Sequence, residues 1–501
     1  MELTLYGWHR RSDGVLTTTN PLAAIRELSH ADVPTEDLLE RMIENEKLSR
    51  AESSGNFCLE RPDSPPLDAT QRVGVDWVLA HKNALIADPM GSGKTAMALV
   101  AANTMMANRI LVVCPAIVKE NWLREFDRFY IRGAEDVEIV YGTKHKITCN
   151  RIILNYDLLY REPILAQLNE MEFDLLVLDE IHYLKSGVSK RTQAALSQAG
   201  VQYSAKRVIG LSGTPLTARP RELYPPLAAL CPQAIQPHLD YYEFSARFCA
   251  GYRDRFGWND KGSSHLKELN FRLRANFMLR RPPELFRTTE PKLIVRSVNL
   301  KNHKAYLELE NTLLADPEYS ALLRDIDDVP MKKHEKDNSL LGDASAARKK
   351  LAELKMPAVI DFIKDTLDAG DKLVVFAHHH ITLDRIQQSF KHALRIDGNT
   401  APKARMAAID KFTNKPEANL IAGNIQAMGT GLDGLQYAAN ICLFAEVTWL
   451  PGEIDQAVAR LERRGQKKQV YAYFLTVKDS IDEIVMSSLT QKRNTMKEIL
   501  K

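Results

Sequence analysis

Two series of short, continuous apolar runs, separated by stretches of helical periodicity, constrain this chain more than any other feature. The first series is Ala84–Ala87, Ile110–Cys114, Ile152–Leu154, Leu175–Leu178 and Arg207–Leu211. The second is Leu373–Phe376, Leu394–Ile396, Asn419–Ala422, Ile441–Phe444 and Val470–Leu475. A strand with one wet face alternates apolar and polar residues, whereas a run that is apolar throughout belongs to a strand covered on both faces. Parallel sheets under helices meet that condition, so the pattern predicts an α/β fold made of βαβ units in two lobes. Helical patterns such as Ile381–His392 and Pro402–Phe412 fill the gaps of the second series.

Composition places the boundaries. At 501 residues the chain has room for roughly two to four domains of about 100–200 residues each. Residues 1–65 read as a small, acidic N-terminal extension closed by the turn-rich RPDSPP at 61–66. Residues 66–235 form the first lobe, 236–350 a helical insertion and linker, and 351–501 the second lobe. The insertion opens with Tyr241, Tyr242, Phe244, Phe248, Tyr252, Phe256 and Trp258, expected to form the core of a helical protrusion rather than a platform for stacked bases. It continues into the basic stretch 331–350, six Lys/Arg against three acids, expected to be an exposed connection.

Charge and cysteine content exclude several classes. With 67 Lys+Arg against 64 Asp+Glu the net charge is +3, so any nucleic-acid footprint must be local rather than global. Six scattered cysteines without a CxxC pair argue against a zinc finger or a disulfide framework. The longest apolar run, Ile110–Val118, has nine residues, about half a membrane span. The N-terminus lacks the order of a signal peptide, so a soluble, cytoplasmic protein without membrane partners is expected. His378–His380 is not expected to bind a metal, because neighbouring strand residues point to opposite faces.

Three segments carry chemistry. Ala84–Thr95, ALIADPMGSGKT, is an apolar strand, a glycine turn and the start of a helix, the layout that cradles phosphates. Its strict pattern calls for glycine at position 88, where this chain has Asp88. Lys94 would reach the β/γ-phosphates and Thr95 would hold Mg²⁺. Asp174–His182 is a strand ending in two carboxylates, where Asp179 would hold Mg²⁺ and Glu180 would polarise a water. Val208–Pro215 leads a strand into a Ser212/Thr214 turn whose hydroxyls could relay from the γ-phosphate site.

In this order DPMGSGKT (88–95), DEIH (179–182) and GLSGTP (210–215) resemble motifs of the superfamily-two helicases, specifically the Swi/Snf-like DNA translocases. VVFAHHH (374–380), RIDGNT (395–400), AMGTGLDGLQYAAN (427–440) and QAVARLERRGQ (456–466) extend the likeness, which runs over about 67–480. GTPLTARPRELYPPL and LFAEVTWLPG are similar to the annealing-helicase branch. Asp433 stands where the family usually has asparagine, and Arg464 where it has an apolar residue. The resemblance implies two RecA-like lobes with ATP and Mg²⁺ as cofactors. Gln71, Met90, Gly91, Ser92, Gly93, Lys94, Thr95, Gly431 and Gln456 would contact the nucleotide, with Gln71 reading adenine. Arg460 and Arg463, expected at i and i+3 on one helix face, would complete the site together with Lys94, Asp179 and Glu180 on closure. Asp397, Thr430, Trp449 and Lys119 would face the nucleic-acid track or the cleft between lobes.

The expected activity is ATP-driven movement along double-stranded DNA without sequence specificity, with strand annealing or fork remodelling within reach. The expected track is a locally basic cleft on a molecule of balanced charge. A strand-separating DNA or RNA helicase is the alternative; it would need a wedge, which a short hairpin within 250–290 could supply. A nucleotide-switched subunit of a larger DNA-processing complex is a second alternative, against which intact Lys94, Glu180 and Arg463 argue. The absence of a recognisable histone-reading or nuclease module favours a compact bacterial or viral source.

Overall fold

The computed structural model describes residues 8–10, 16–18, 35–51, 58–216, 218–255, 257–286, 290–298, 300–315, 340–429, 434–446, 451–463 and 465–500. The chain divides into two units, 1–285 with 494–501, and 286–493. Each is an α/β unit around one wholly parallel sheet, as RecA-like lobes are.

In the first unit, β1 (Asn83–Ile86), β2 (Ile110–Cys114), β3 (Val137–Ile139), β4 (Arg151–Asn155), β5 (Phe173–Asp179) and β6 (Ala205–Leu211) lie in one sheet. The strands β7 (Tyr252–Asp254) and β8 (Gly257–Asn259) form a separate antiparallel hairpin. The short β9 (Met278–Leu279) joins the sheet edge, giving the order β9–β1–β6–β5–β2–β4–β3. Alternate strand residues enter different cores. Leu111, Val113, Ile152, Leu154, Leu176 and Leu178 pack on one face, and Ile110, Val112, Cys114, Ile153, Leu175 and Val177 on the other. Both faces are dry, which is why these runs carry no polar alternation. Each fully buried aliphatic side chain contributes about 1.5–3 kcal/mol.

The helices that matter for the site are α1 (Thr35–Leu48), α2 (Ala69–Ala80), α3 (Lys94–Thr104), α4 (Lys119–Phe129), α5 (Tyr241–Phe248) and α6 (Leu266–Asn276). Asp68 caps α2: its carboxylate accepts from the Gln71 backbone N–H at 2.8 Å, while Gln71 Oε1 accepts from the Asp68 N–H at 3.1 Å. This capping box fixes where α2 begins and places Gln71 in its first turn.

In the second unit, β10 (Lys292–Val298), β11 (Leu373–Ala377), β12 (Leu394–Ile396), β13 (Leu420–Asn424), β14 (Ile441–Phe444) and β15 (Tyr471–Val477) order as β10–β15–β14–β11–β13–β12. Helices α7 (Leu340–Asp368) and α8 (Pro451–Val458) belong to this unit.

The four-part division expected from composition differs from this one. Residues 236–285 do not stand apart from the first lobe: Phe244 and Phe248 are fully buried in one of its two cores, and β9 extends its sheet. Within the expected extension 1–65, α1 packs on α6. β10 is not marked in the sequence because it is an edge strand with no fully buried residue, and its apolar run is only Leu293–Val295. Within the basic stretch, 331–339 lies outside the described residues, and 340–350 opens α7. Among the described residues no helix is long and apolar enough to cross a membrane.

Candidate active site

Parallel strands deliver their carboxyl ends to one edge of a sheet. Because β1, β6 and β5 are neighbours, the turns after them, 87–93, 212–214 and 179–180, arrive side by side. In the first of these, Gly91 and Gly93 hold φ of +78° and +85°, a region that costs a side-chain-bearing residue energy. A Cβ on Gly93 would also sit 2.2 Å from Gln71 Nε2, which donates to the Ser92 carbonyl at 3.1 Å. Gln71 therefore both caps α2 and holds the loop.

Lys94 Nζ donates to the carbonyls of Asp88 and Pro89 at 3.0 and 3.1 Å. Burial draws its pKa down to about 8, against the upward pull of Glu180, Asp88 and Asp179. The hydroxyl of Ser92 is fully buried and has no hydrogen-bond partner among the described residues. An orphaned hydroxyl in a loop of left-handed glycines beside a lysine fits a phosphate ligand that brings acceptor oxygens.

Asp88, where glycine was expected, is fully buried and paired with the equally buried Arg281. Its Oδ1 accepts from the Arg281 backbone N–H at 2.9 Å and from Arg281 Nε at 3.2 Å, and Oδ2 accepts from Arg281 Nη2. The departure from the glycine pattern is thus a structural pairing with a residue 193 positions away.

Asp179 and Glu180 end β5. Asp179 Oδ2 accepts from Trp122 Nε1 at 2.8 Å, and its carbonyl from the Tyr156 hydroxyl at 2.8 Å. Glu180 occupies the left-handed region at φ +53°, a strained position for a side-chain-bearing residue that turns its carboxylate toward β6. There Ser212 Oγ donates to Glu180 Oε2 at 2.9 Å. His182 Nδ1 lies 3.0 Å from Ser212 Oγ and 3.3 Å from Glu180 Oε2, an arrangement that requires a proton on Nδ1. The two carboxylates diverge in acidity. Burial and the neighbouring Glu180 charge raise Asp179, whereas His182, Lys94 and Ser212 outweigh burial and hold Glu180 down. Thr95, in the first turn of α3, and Asp179 offer oxygen donors, the type that suits Mg²⁺.

Within the second unit Gln456 is buried near the end of α8. Arg460 and Arg463 do not lie on a helix as expected. The helix ends at Val458, and the next backbone bonds tighten to Arg460 N–H to Ala457 O at 3.1 Å and Leu461 N–H to Val458 O at 2.9 Å. Gly465 follows at φ +98°, with Tyr437 filling the place of a Cβ. Arg460 is buried in this turn, and Arg463 Nε donates to the Ala459 carbonyl at 3.1 Å. Gly431, Thr430, Asp433, Trp449 and Arg464 lie outside the described residues.

Two further expectations change. Lys119 is not poised for a phosphate: Nζ donates to the Val140 carbonyl at 2.9 Å and rests 4.7 Å from the Tyr141 ring centre. His378–His380 are not strand residues, because β11 ends at Ala377 and His380 opens a helix. His379 pairs with Glu446 at 2.5 Å, and His380 lies 3.8 Å from Asp397. Trp122, Tyr156, Arg280 and Arg281 went unnoticed in the sequence, since only the fold brings them to the three loops.

Comparison with known proteins completes the description. A family model described as the SNF2-related domain matches residues 70–338, and one described as the helicase conserved C-terminal domain matches 354–465. The SWI/SNF-related matrix-associated actin-dependent regulator of chromatin subfamily A-like protein 1 of Xenopus laevis is 31% identical over 431 residues, 84% of this chain and 43% of its own. The DNA annealing helicase and endonuclease ZRANB3 of Bos taurus is 29% identical over 446 residues, 84% of this chain and 39% of its own. The chain thus spans less than half the length of these curated relatives. The Sulfolobus solfataricus SWI2/SNF2 ATPase core in complex with dsDNA covers 87% of the chain at 21% identity and a TM-score of 0.39, too low to bear on this protein.

Proposed function

The chain belongs to the SNF2-related family, and from that premise we propose that it is a DNA-stimulated ATPase that moves along double-stranded DNA. The observation that carries this is the convergence of the glycine loop, its orphaned Ser92 hydroxyl and the Asp179–Glu180 pair at one sheet edge. In this proposal Met90–Thr95 wrap the phosphates, with Lys94 leaving its two loop carbonyls to meet them. Thr95 and Asp179 hold Mg²⁺, which would neutralise charge developing on the transferred phosphoryl group. Glu180, kept ionised by His182 and Ser212, orients the attacking water. In this proposal Gln71, which holds the loop through the Ser92 carbonyl, meets the base. Gln456, Gly431, Arg460 and Arg463 join the nucleotide when the lobes close, so that hydrolysis and movement are coupled.

DNA is the proposed track because the annealing-helicase names of the relatives fit the motif order. Contacts of the required kind reach phosphates only, so binding is proposed to be independent of sequence and to weaken as salt rises. Strand annealing or fork remodelling is the finer proposal. The animal sources of the curated relatives named above lend no weight to a bacterial or viral source. A second reading, strand separation, has one observation in its favour: the β7–β8 hairpin with Tyr252 exposed. ATP turnover measured with duplex DNA, single strands and RNA tests the proposal. Strongest stimulation by duplex supports it, and strongest stimulation by RNA overturns it.

A further inference from the structure

The segment by which the chain leaves the first unit at Leu285 grips the phosphate loop. β9 runs parallel beside β1, with Met278 opposite Leu85 and Leu279 opposite Ile86. The Ala87 N–H donates to the Leu279 carbonyl at 2.8 Å, so the two chains leave the sheet together. The next residue, Arg280, donates from Nη1 to the carbonyl of Ala87, before the loop, and to that of Gly213 at 3.2 Å, in the turn after β6. Arg281 then closes its fork on Asp88 and donates from Nη1 to the Thr70 carbonyl, one residue before Gln71. Two consecutive arginines thereby tie together the phosphate loop, the turn after β6 and the first turn of α2. Five residues after Arg281 the chain enters the second unit, at Phe286.

We propose that Arg280 and Arg281 are positioning residues that join the segment leaving the first unit to the phosphate loop, with the Asp88–Arg281 pair setting the loop shape that ATP needs. This rests on the nucleotide-site reading above and extends it to residues outside the family motifs quoted for this chain. Without its partner Asp88 would be a buried carboxyl that has lost its side-chain donors, so its place in the loop depends on Arg281. Arg281 is in turn fixed by the course of β9. A displacement of 280–285 therefore moves the loop, and a ligand in the loop stiffens 280–285.

A double-mutant cycle on the equilibrium affinity for ATP tests the pairing. Asp88→Asn and Arg281→Gln are each expected to weaken ATP binding roughly tenfold or more. The double variant, which restores an uncharged hydrogen-bonded pair, is expected to be no weaker than either single one. A purely structural role would lower the melting temperature and the folded fraction while leaving the affinity of the folded molecules unchanged. Effects that multiply to about a hundredfold in the double variant would mean that the two residues act independently, which overturns the pairing. Arg281→Lys, which keeps the charge and loses the fork, serves where Gln fails to fold, and is expected to weaken ATP binding without loss of melting temperature. Hydrogen exchange reports the join itself: adding ATP to the wild type is expected to slow exchange over 279–285, and Arg281→Lys to abolish that slowing. No change over 279–285 in the wild type overturns the coupling. Turnover is measured separately, so an inactive wild type that binds ATP would count against the proposed function and leave the cycle readable.

Discussion

Replacing Trp122 by phenylalanine should disable the site through a single lost hydrogen bond. The Trp122 indole is almost completely buried, and its Nε1 donates to Asp179 Oδ2 at 2.8 Å. A hydrogen bond to a charged group contributes about 1.5–3 kcal/mol. Asp179 is already raised by burial and by the adjacent Glu180 charge, so removing this donor raises it further. At about 1.4 kcal/mol per pKa unit, the added rise is roughly one to two units. The sign follows from the role: Asp179 must be ionised to hold a cation, and a carboxyl with a raised pKa is ionised only above it. The acid limb of Mg²⁺-dependent turnover should therefore move upward by about one to two pH units, which at a fixed pH on that limb is a loss of about 10–100-fold. Steady-state ATPase rates across pH, with thermal melts beside them to confirm folding, measure this. An acid limb that coincides with the wild type in a folded Trp122→Phe protein would refute Asp179 as the group that holds the cation.

Three further outcomes follow from burial in the first unit. Burial brings Lys94 to about 8, and phosphate binding favours its charged form. ATP affinity measured without divalent cation should therefore be greatest below pH 8 and fall as pH rises through it. Lys94→Met should bind weakly with a flat profile, and a flat wild-type profile would contradict the assignment. Phe248→Ala, at a site with no exposure, should cost about 3–5 kcal/mol in urea denaturation. Tyr252→Ala, at a site 56% exposed, should change stability by no more than about 0.5 kcal/mol.

Much of the fold was legible because dry strands announce themselves. Ile110–Cys114, Leu394–Ile396 and Ile441–Phe444 agree with β2, β12 and β14 residue for residue, since each is covered on both faces or bounded by clear turns. β9 and β10 were not legible. The first is two residues long and owes its place to β1, and the second is a half-wet edge. In the site, the residues of the motifs are local in sequence and could be named in advance. Their partners are not local: Asp88 and Arg281 meet across 193 positions, and Trp122 reaches Asp179 across 57. No spacing rule reports such pairs. The arginine motif shows the opposite failure, because spacing suggested a continuous helix where backbone bonds at Ala457 and Val458 tighten and end it. Lys119 likewise carried the right charge, and only the fold shows that charge spent on Val140 and Tyr141.

The central claim is movement along intact duplex driven by ATP, and displacement of a third strand from a DNA triplex tests it most directly. The account predicts ATP-dependent displacement by the wild type, none by Glu180→Gln, and no separation of a forked duplex under the same conditions. Efficient unwinding of the fork, or displacement by Glu180→Gln at the wild-type rate, would contradict it.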